Sequence, residues 1–217
     1  MSAQPTWVLA MAAAILPLVG CAGKEASAAR AGAPTQHSWR SMVTEDDAVR
    51  LSQWRQAWTR ALIQARNAGA GTSIAAEGLL LEPDSALALQ QPPAGVYRCR
   101  TIKIGAQSTG MLNYVTYPVF NCRISAENGA LRFTKLGGSQ RPIGTLLPQT
   151  DKRMVFLGTL QLGDETNTLA YGRDRERDMA GLLESIGDRR WRLVLPYPHF
   201  ESLIDIIELV PAGINAK

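Results

Sequence analysis

Apolar residues recur three and four apart at Ala48, Leu51, Trp54, Trp58, Ala61, Leu62 and Ala65, the spacing of one buried stripe on an α-helix. Thr44-Glu45-Asp46-Asp47 supplies the start, with Thr44 as N-cap, Asp47 placed to answer it from the third helical position, and acidic residues suited to the positive end of the helix dipole. Asn67, Gly69 and Gly71 follow the last stripe residue as stop signals, so a helix is expected over 44–67. Trp54 and Trp58 should then stack against the rest of the domain as packing residues. Residues 70–94 read as weakly structured: Ile74 to Leu81 could form a turn of helix, and Pro83, Pro92 and Pro93 keep the rest from continuing as a regular element.

From Gly95 the period changes to two. Strands are expected at Val96 to Ile104, Tyr117 to Ser125, Ala130 to Leu136, Arg141 to Leu147, Arg153 to Leu160, Met179 to Ile186, Arg190 to Leu195 and Leu203 to Val210. A short piece near Thr166 to Tyr171 is a further candidate. Glu127-Asn128-Gly129 and Gly187-Asp188 mark tight turns between neighbours. Phe120, Cys122 and Ile124 share one strand face, as do Trp191, Leu193 and Leu195, while Arg123, Arg190 and Arg192 take the other. One-sided strands of this kind form antiparallel sheets with a wet face. The fold class is therefore mainly β with an N-terminal helix (α+β). Short meander connections favour an up-and-down β-barrel of lipocalin-like appearance with about eight strands, because closure removes exposed sheet edges. A β-sandwich or split sheet is the alternative arrangement.

The N-terminus has a different character. Residues 1–20 contain no charged side chain, and the apolar run Trp7 to Gly20 is the length of a signal-peptide core, shorter than a bilayer span. Leu18-Val19-Gly20-Cys21 resembles the lipobox of bacterial lipoproteins, which implies acylation at Cys21 and a membrane partner reached through that lipid. The competing reading is an apolar N-terminal helix buried in a cytoplasmic protein. Ala22 stands where resembling lipoproteins retained at the inner membrane carry aspartate, so the implied location is the cell envelope, at the outer membrane facing the periplasm. The domain plan is a signal peptide over 1–20, a small and polar tether over 21–43, a helix and irregular segment over 44–94, and an antiparallel β domain over 95–211.

Charge and cysteine count narrow the chemistry. A formal net charge of +4 is modest, and the arginines are scattered among strand and helix positions, unlike the basic stripe of a nucleic-acid surface; nucleic acid is not an expected partner. Cys99 and Cys122 are the cysteines left after Cys21, and an oxidising compartment permits them to bridge. The bridge would close a loop of roughly 23 residues, worth roughly 3 kcal/mol by chain entropy, and parity would place it inside, tying the first two strands. Two buried thiols that never meet are the alternative. The chain has 2 histidines, His37 and His199, so no structural-zinc spacing exists, and no cofactor is expected.

No nucleophile elbow, phosphate loop, metalloprotease or dinucleotide-binding motif is present. His199 beside Glu201 is a candidate acid/base pair, and the alternative for His199 is a side chain fixing the Pro196–Pro198 connection. The carboxylates of 164–178 alternate with Arg173, Arg175 and Arg177 and read as solvated turns. Arg98, Arg100, Lys103 and Arg123 form the more interesting set. Arg98, Arg100 and Arg123 are possible anion or ligand contacts if their faces turn inward, and are solvated if the bridge is internal.

Gly95-Val96-Tyr97-Arg98-Cys99-Arg100-Thr101-Ile102-Lys103, with Phe120-Asn121-Cys122 and the tail Trp191-Arg192-Leu193-Val194-Leu195-Pro196-Tyr197-Pro198 through Glu208-Leu209-Val210-Pro211, resembles an uncharacterised proteobacterial family carried as a domain of unknown function. The resemblance spans roughly Thr44 to Pro211 and implies an envelope location without implying an activity. The function is thus expected to be non-enzymatic, the binding of a small molecule or an envelope protein. A hydrolase with an unfamiliar site near His199 and a purely structural envelope protein are the other two readings.

Overall fold

The computed structural model describes residues 1–2 and 38–213. Cys21, His37, the signal-type segment and most of the expected tether lie outside the described residues. The fold is a closed eight-stranded antiparallel β-barrel with one extra strand and a helical layer on its outside. Its strands are β1 (Gly95–Ala106), β2 (Tyr114–Thr116), β3 (Phe120–Glu127), β4 (Ala130–Lys135), β5 (Gln140–Pro148), β6 (Arg153–Leu162), β7 (Asp178–Gly187), β8 (Arg190–Pro196) and β9 (Ser202–Pro211). Neighbours pair in chain order from β3 to β9, and β9 returns to β1 to close the barrel. One edge of β1 is shared: Gly95 to Cys99 pair with β3, and Ile102 to Ile104 pair with the extra strand β2.

The eight expected strands are present, most of them extended by a residue or two. The candidate near Thr166 to Tyr171 is a loop, and β2 arises where the sequence carried no strand signal. Asn128 (φ 51°) and Gly129 (φ 80°) make the β3–β4 hairpin turn, both in the left-handed region that such two-residue turns require.

The helical layer comprises α1 (Glu45–Ser52), α2 (Trp54–Ala65) and α3 (Gly71–Ala76). Thr44 does cap α1, its Oγ1 accepting from the Asp47 backbone N–H at 3.3 Å. The Asp47 carboxylate does not answer the cap's own N–H. The Tyr171 hydroxyl accepts that N–H at 3.1 Å and donates to Asp47 Oδ2 at 2.6 Å. The helix breaks at Gln53 and does not stop at residue 67; it kinks at Gly69 (φ 91°) and continues in helical turns to Leu80. Trp54 and Trp58 meet edge to face, with ring centroids 6.1 Å apart. Trp39 and Val43 also pack against the helical core, so the folded part begins before Thr44.

Two apolar cores result. The outer one lies between the helices and the barrel wall, where Trp58, Ala61 and Leu62 meet Ile102, Ile204 and Val194. Gly105 (φ 70°) permits this approach, since a Cβ there would lie 2.9 Å from Ala61 Cα. The inner core fills one half of the barrel with Tyr97, Phe133, Phe156, Leu183, Trp191 and the disulfide. Cys99 and Cys122 bridge β1 and β3 as parity required, both fully buried. Residues 87–93 cross that end of the barrel, fixed where Leu89 N–H donates to Asp151 O at 2.7 Å, Trp191 Nε1–H to Gln90 O at 2.5 Å and the Tyr97 hydroxyl to Pro93 O at 2.6 Å.

One expectation about wet faces needs correction. Arg192 does point out of the barrel, but its side chain is fully buried, because the helical layer covers β7, β8 and β9. Those strands are buried on both faces, and only Arg190 and Arg123 keep the partly wet positions expected of the set.

Candidate functional site

The opposite half of the barrel interior is not packed. There the inward-facing positions in the second half of β1, at the end of β4 and at the start of β5 carry Thr101, Lys103, Lys135 and Gln140 in place of apolar side chains, and β9 contributes Asp205. Together they leave a cavity of about 130 Å³ whose apolar side is formed by Leu160, Met179, Leu195 and Ile207. The loop between β8 and β9 forms part of the rim through Pro198, His199, Phe200 and Glu201.

That loop is held in an unusual conformation. Tyr197 (φ 44°) and Glu201 (φ 71°) are both left-handed without being glycine, a conformation that persists only where surrounding contacts enforce it. Gln107 supplies them: its backbone N–H donates to Glu201 O at 2.9 Å, and its side-chain amide donates to Ser202 O at 2.7 Å and to Pro198 O.

The two cavity lysines differ in their partners. Lys103 Nζ lies 3.2 Å from Asp205 Oδ2, 3.0 Å from Glu201 Oε2 and 2.9 Å from Gln140 Oε1. Burial opposes its charge, but the two carboxylates outweigh that and hold its pKa above the ordinary lysine value. Asp205 is fully enclosed, and burial pushes its carboxyl upward against the pull of Lys103 and the Ser202 hydroxyl.

Lys135 Nζ instead donates to two carbonyl oxygens, Gly137 O and Gln140 O, each at 2.9 Å, and sits 4.5 Å from the centre of the Phe120 ring. No carboxylate is paired with it among the described residues. Burial, reinforced by the like charges of Lys103 and Arg141, pulls its pKa down to about 8. Thr101 also lines the cavity, and its hydroxyl is buried with no hydrogen-bond partner, although such groups ordinarily find one.

Arg98, Arg100 and Arg123, the possible anion contacts of the sequence, do not line this cavity. All three face outward, opposite the internal disulfide. Arg98 and Arg123 are exposed, and Arg100 is engaged by Glu77 at 2.7 Å and Glu208 at 3.0 Å. The cations that line the cavity are Lys103, which shares a β1 face with Cys99, Lys135, and Arg177, which is paired with Glu165 at 2.9 and 3.0 Å. Parity with the disulfide was the signal for Lys103, while Lys135 at a strand end reads from sequence as an ordinary solvated lysine.

The structure does not bring His199 and Glu201 together as an acid/base pair. Glu201 is bound to Lys103, and His199 Nδ1 lies 3.8 Å from Glu176, which is largely exposed. His199 Nε2 is buried without a partner, and burial together with Arg50 lowers its pKa. Among the described residues no group of three or more His, Cys, Asp or Glu is arranged to hold a metal.

A second hollow, of about 330 Å³, lies between the β3–β4 hairpin, Met42, Gln91, the end of β5 and Met154, against the edge of the inner core. Its charged side chains, Glu127 and Arg132, sit near its surface 3.7 Å from each other, so it offers no buried polar group to a ligand. The barrel mouth is the stronger candidate despite its smaller volume. A family model described as a domain of unknown function, DUF4893, matches residues 39–209. The chain matches no curated protein and no solved structure.

Proposed function

The chain belongs to the DUF4893 family, whose description carries no activity, and from that premise we propose that it is a non-enzymatic binding domain whose ligand occupies the mouth of the barrel. The observation that carries this reading is the division of the interior. One half is packed with aromatic and aliphatic side chains around the disulfide, whereas the other holds a cavity of about 130 Å³ lined by buried polar groups whose hydrogen-bonding capacity is partly unspent. A barrel serving only as scaffold gains nothing from Lys103, Asp205 and Lys135 inside it, since desolvating charges costs several kcal/mol each where packing would stabilise. A few fixed polar groups on one side of an apolar pocket are the usual composition of a small-molecule site.

In this reading the domain is held on the periplasmic side of the outer membrane by a lipid at Cys21. Support comes from the lipobox-like Leu18-Val19-Gly20-Cys21 after an uncharged apolar run, and from the Cys99–Cys122 bridge, which suits an oxidising compartment.

Native mass spectrometry of the protein purified from its own envelope, followed by release of whatever is bound, tests the binding claim. A reproducible co-purifying small molecule is expected. A uniformly empty domain that takes up no small molecule from its own envelope extract would favour a structural role. For the anchor, labelled palmitate should appear on the wild type and vanish in Cys21→Ala; an unprocessed, unlabelled wild-type protein in the cytosol would overturn that part.

A further inference from the structure

We propose that the ligand of the barrel mouth is a small organic monocarboxylate, its anionic end held by Lys135 Nζ and Thr101 Oγ1 and its short apolar body lying against Leu160, Met179, Leu195 and Ile207; the proposal rests on the binding reading above. The charges inside the cavity do not pair off evenly. Lys103 is shared by Asp205 and Glu201 at 3.2 and 3.0 Å, so its charge is met inside the fold. Lys135, a residue only 6% exposed, has two carbonyl dipoles and a phenyl face around its ammonium. Dipoles of that kind offset a buried full charge only in part, and an ammonium has three hydrogens to donate, of which the carbonyls take two. A carboxylate oxygen would accept the third in a charge-assisted hydrogen bond.

Thr101 supplies the second, independent indication. The residue lines the cavity, and its Oγ1 is buried and donates to nothing, a state that costs about 1–3 kcal/mol unless something accepts the proton. One ammonium and one hydroxyl match the two oxygens of a carboxylate.

The remaining lining argues against a phosphate. Arg177, which also lines the cavity, has its fork on the Glu165 carboxylate at 2.9 and 3.0 Å and does not offer a phosphate the two-pronged contact such sites use, and Asp205 and Glu201 would repel a dianion. The apolar residues opposite the charges favour a molecule with one polar end.

Isothermal titration calorimetry of the purified full chain with sodium hexanoate, hexan-1-ol and inorganic phosphate separates the possibilities. Hexanoate should bind with an affinity on the order of tenfold or more above that of hexanol, the worth of one good charge-assisted hydrogen bond. Phosphate should neither bind nor compete. Lys135→Met should remove most of the hexanoate preference while leaving hexanol binding in place, and Thr101→Val should weaken hexanoate more than hexanol. Should Lys135→Met fail to fold, the contrast between hexanoate and hexanol on the wild type still decides.

Equal binding of hexanoate and hexanol, or competition by phosphate as strong as that of hexanoate, would overturn the carboxylate assignment and leave the binding reading standing. Failure of every probe, together with an empty domain by native mass spectrometry, would remove both.

Discussion

Arg192 on β8 and Glu184 on β7 meet with Nη2 2.7 Å from a carboxylate oxygen, and neither side chain is exposed at all. The guanidinium spends its other donors on the carbonyl oxygens of Leu79, Leu80, Glu82 and Pro83, at 2.9, 3.0, 2.7 and 3.1 Å. It thereby ties the end of the helical segment to the barrel wall and satisfies carbonyls that a helix C-terminus leaves open. Its plane also stacks 4.5 Å from the Trp58 ring.

Arg192→Met leaves the buried Glu184 carboxylate with Arg153 alone, whose Nε is 2.5 Å away, and leaves the carbonyl oxygens of Leu79, Leu80, Glu82 and Pro83 without this donor, so it should destabilise the protein by about 3–5 kcal/mol. Urea denaturation provides the measurement. The double variant Arg192→Met/Glu184→Leu should recover part of the loss, because the carboxylate left with Arg153 alone is gone. A double variant as unstable as the sum of the single ones would mean that the two side chains act independently.

The same pair marks the limit of what the sequence discloses. Alternation assigns Arg192 correctly to the outside of the barrel, and the even spacing of strands and the Asn128-Gly129 turn make the barrel itself legible. An apolar helical stripe does not say which strands it will cover, however, so outward-facing Arg192 reads as wet when it is sealed beneath α2 and the turns after α3. The disulfide was legible because strand parity put both cysteines on faces that could turn inward together. β2 was not, since its three residues are only partly buried and form a strand by pairing with the spare edge of β1. At the site, Lys103 follows from parity with Cys99, but Lys135 requires knowing that β4 ends inside the cavity.

The bridge between Cys99 and Cys122 spans a sequence separation of 23 and lies in the packed half of the barrel. Replacing both by alanine should lower stability by roughly 3 kcal/mol through the larger entropy of the unfolded chain. Because both sulfurs are shielded from solvent, reductant should act on the folded protein only as it opens. Trapping with iodoacetamide should therefore show no labelling at these positions in buffer and full labelling in urea with the same reductant. Rapid labelling without denaturant would contradict this placement.

Gly105 is where α2 comes nearest to β1. A methyl group there would meet Ala61 Cα at 2.9 Å, and the residue's φ of 70° disfavours any side chain. Gly105→Ala should therefore cost about 2 kcal/mol or more, combining left-handed strain with displacement of the helix. Gly187→Ala serves as the control, because its Cβ would meet nothing nearer than 3.7 Å and its φ is ordinary. The control should unfold within about 0.5 kcal/mol of the wild type in the same urea series. Equal losses at the two positions would show that the close approach to Ala61 is not what constrains Gly105.

Lys135 makes the protein's stability depend on pH in a direction that can be worked out. Burial, followed by the charges of Lys103 on β1 and Arg141 on β5, lowers its pKa to about 8 against the favourable influence of Asp205 on β9; in the unfolded chain it returns to the usual 10.5. Between those values the unfolded chain holds the proton that the folded protein has lost, so stability rises with pH across the window. Lys135→Met has no such group. The free-energy difference between wild type and variant should therefore move in favour of the wild type from about pH 7 to about pH 9.5, followed by urea denaturation. Tyr97 and Tyr114, pushed up to about 12 chiefly by burial, act oppositely but only above their ordinary value near 10, and they cancel in the comparison. A constant difference would show that the Lys135 amine titrates as an exposed one. A carboxylate bound beside it would favour the charged amine and raise its pKa, so saturating hexanoate should shift the rise toward higher pH in the wild type and leave Lys135→Met unaffected.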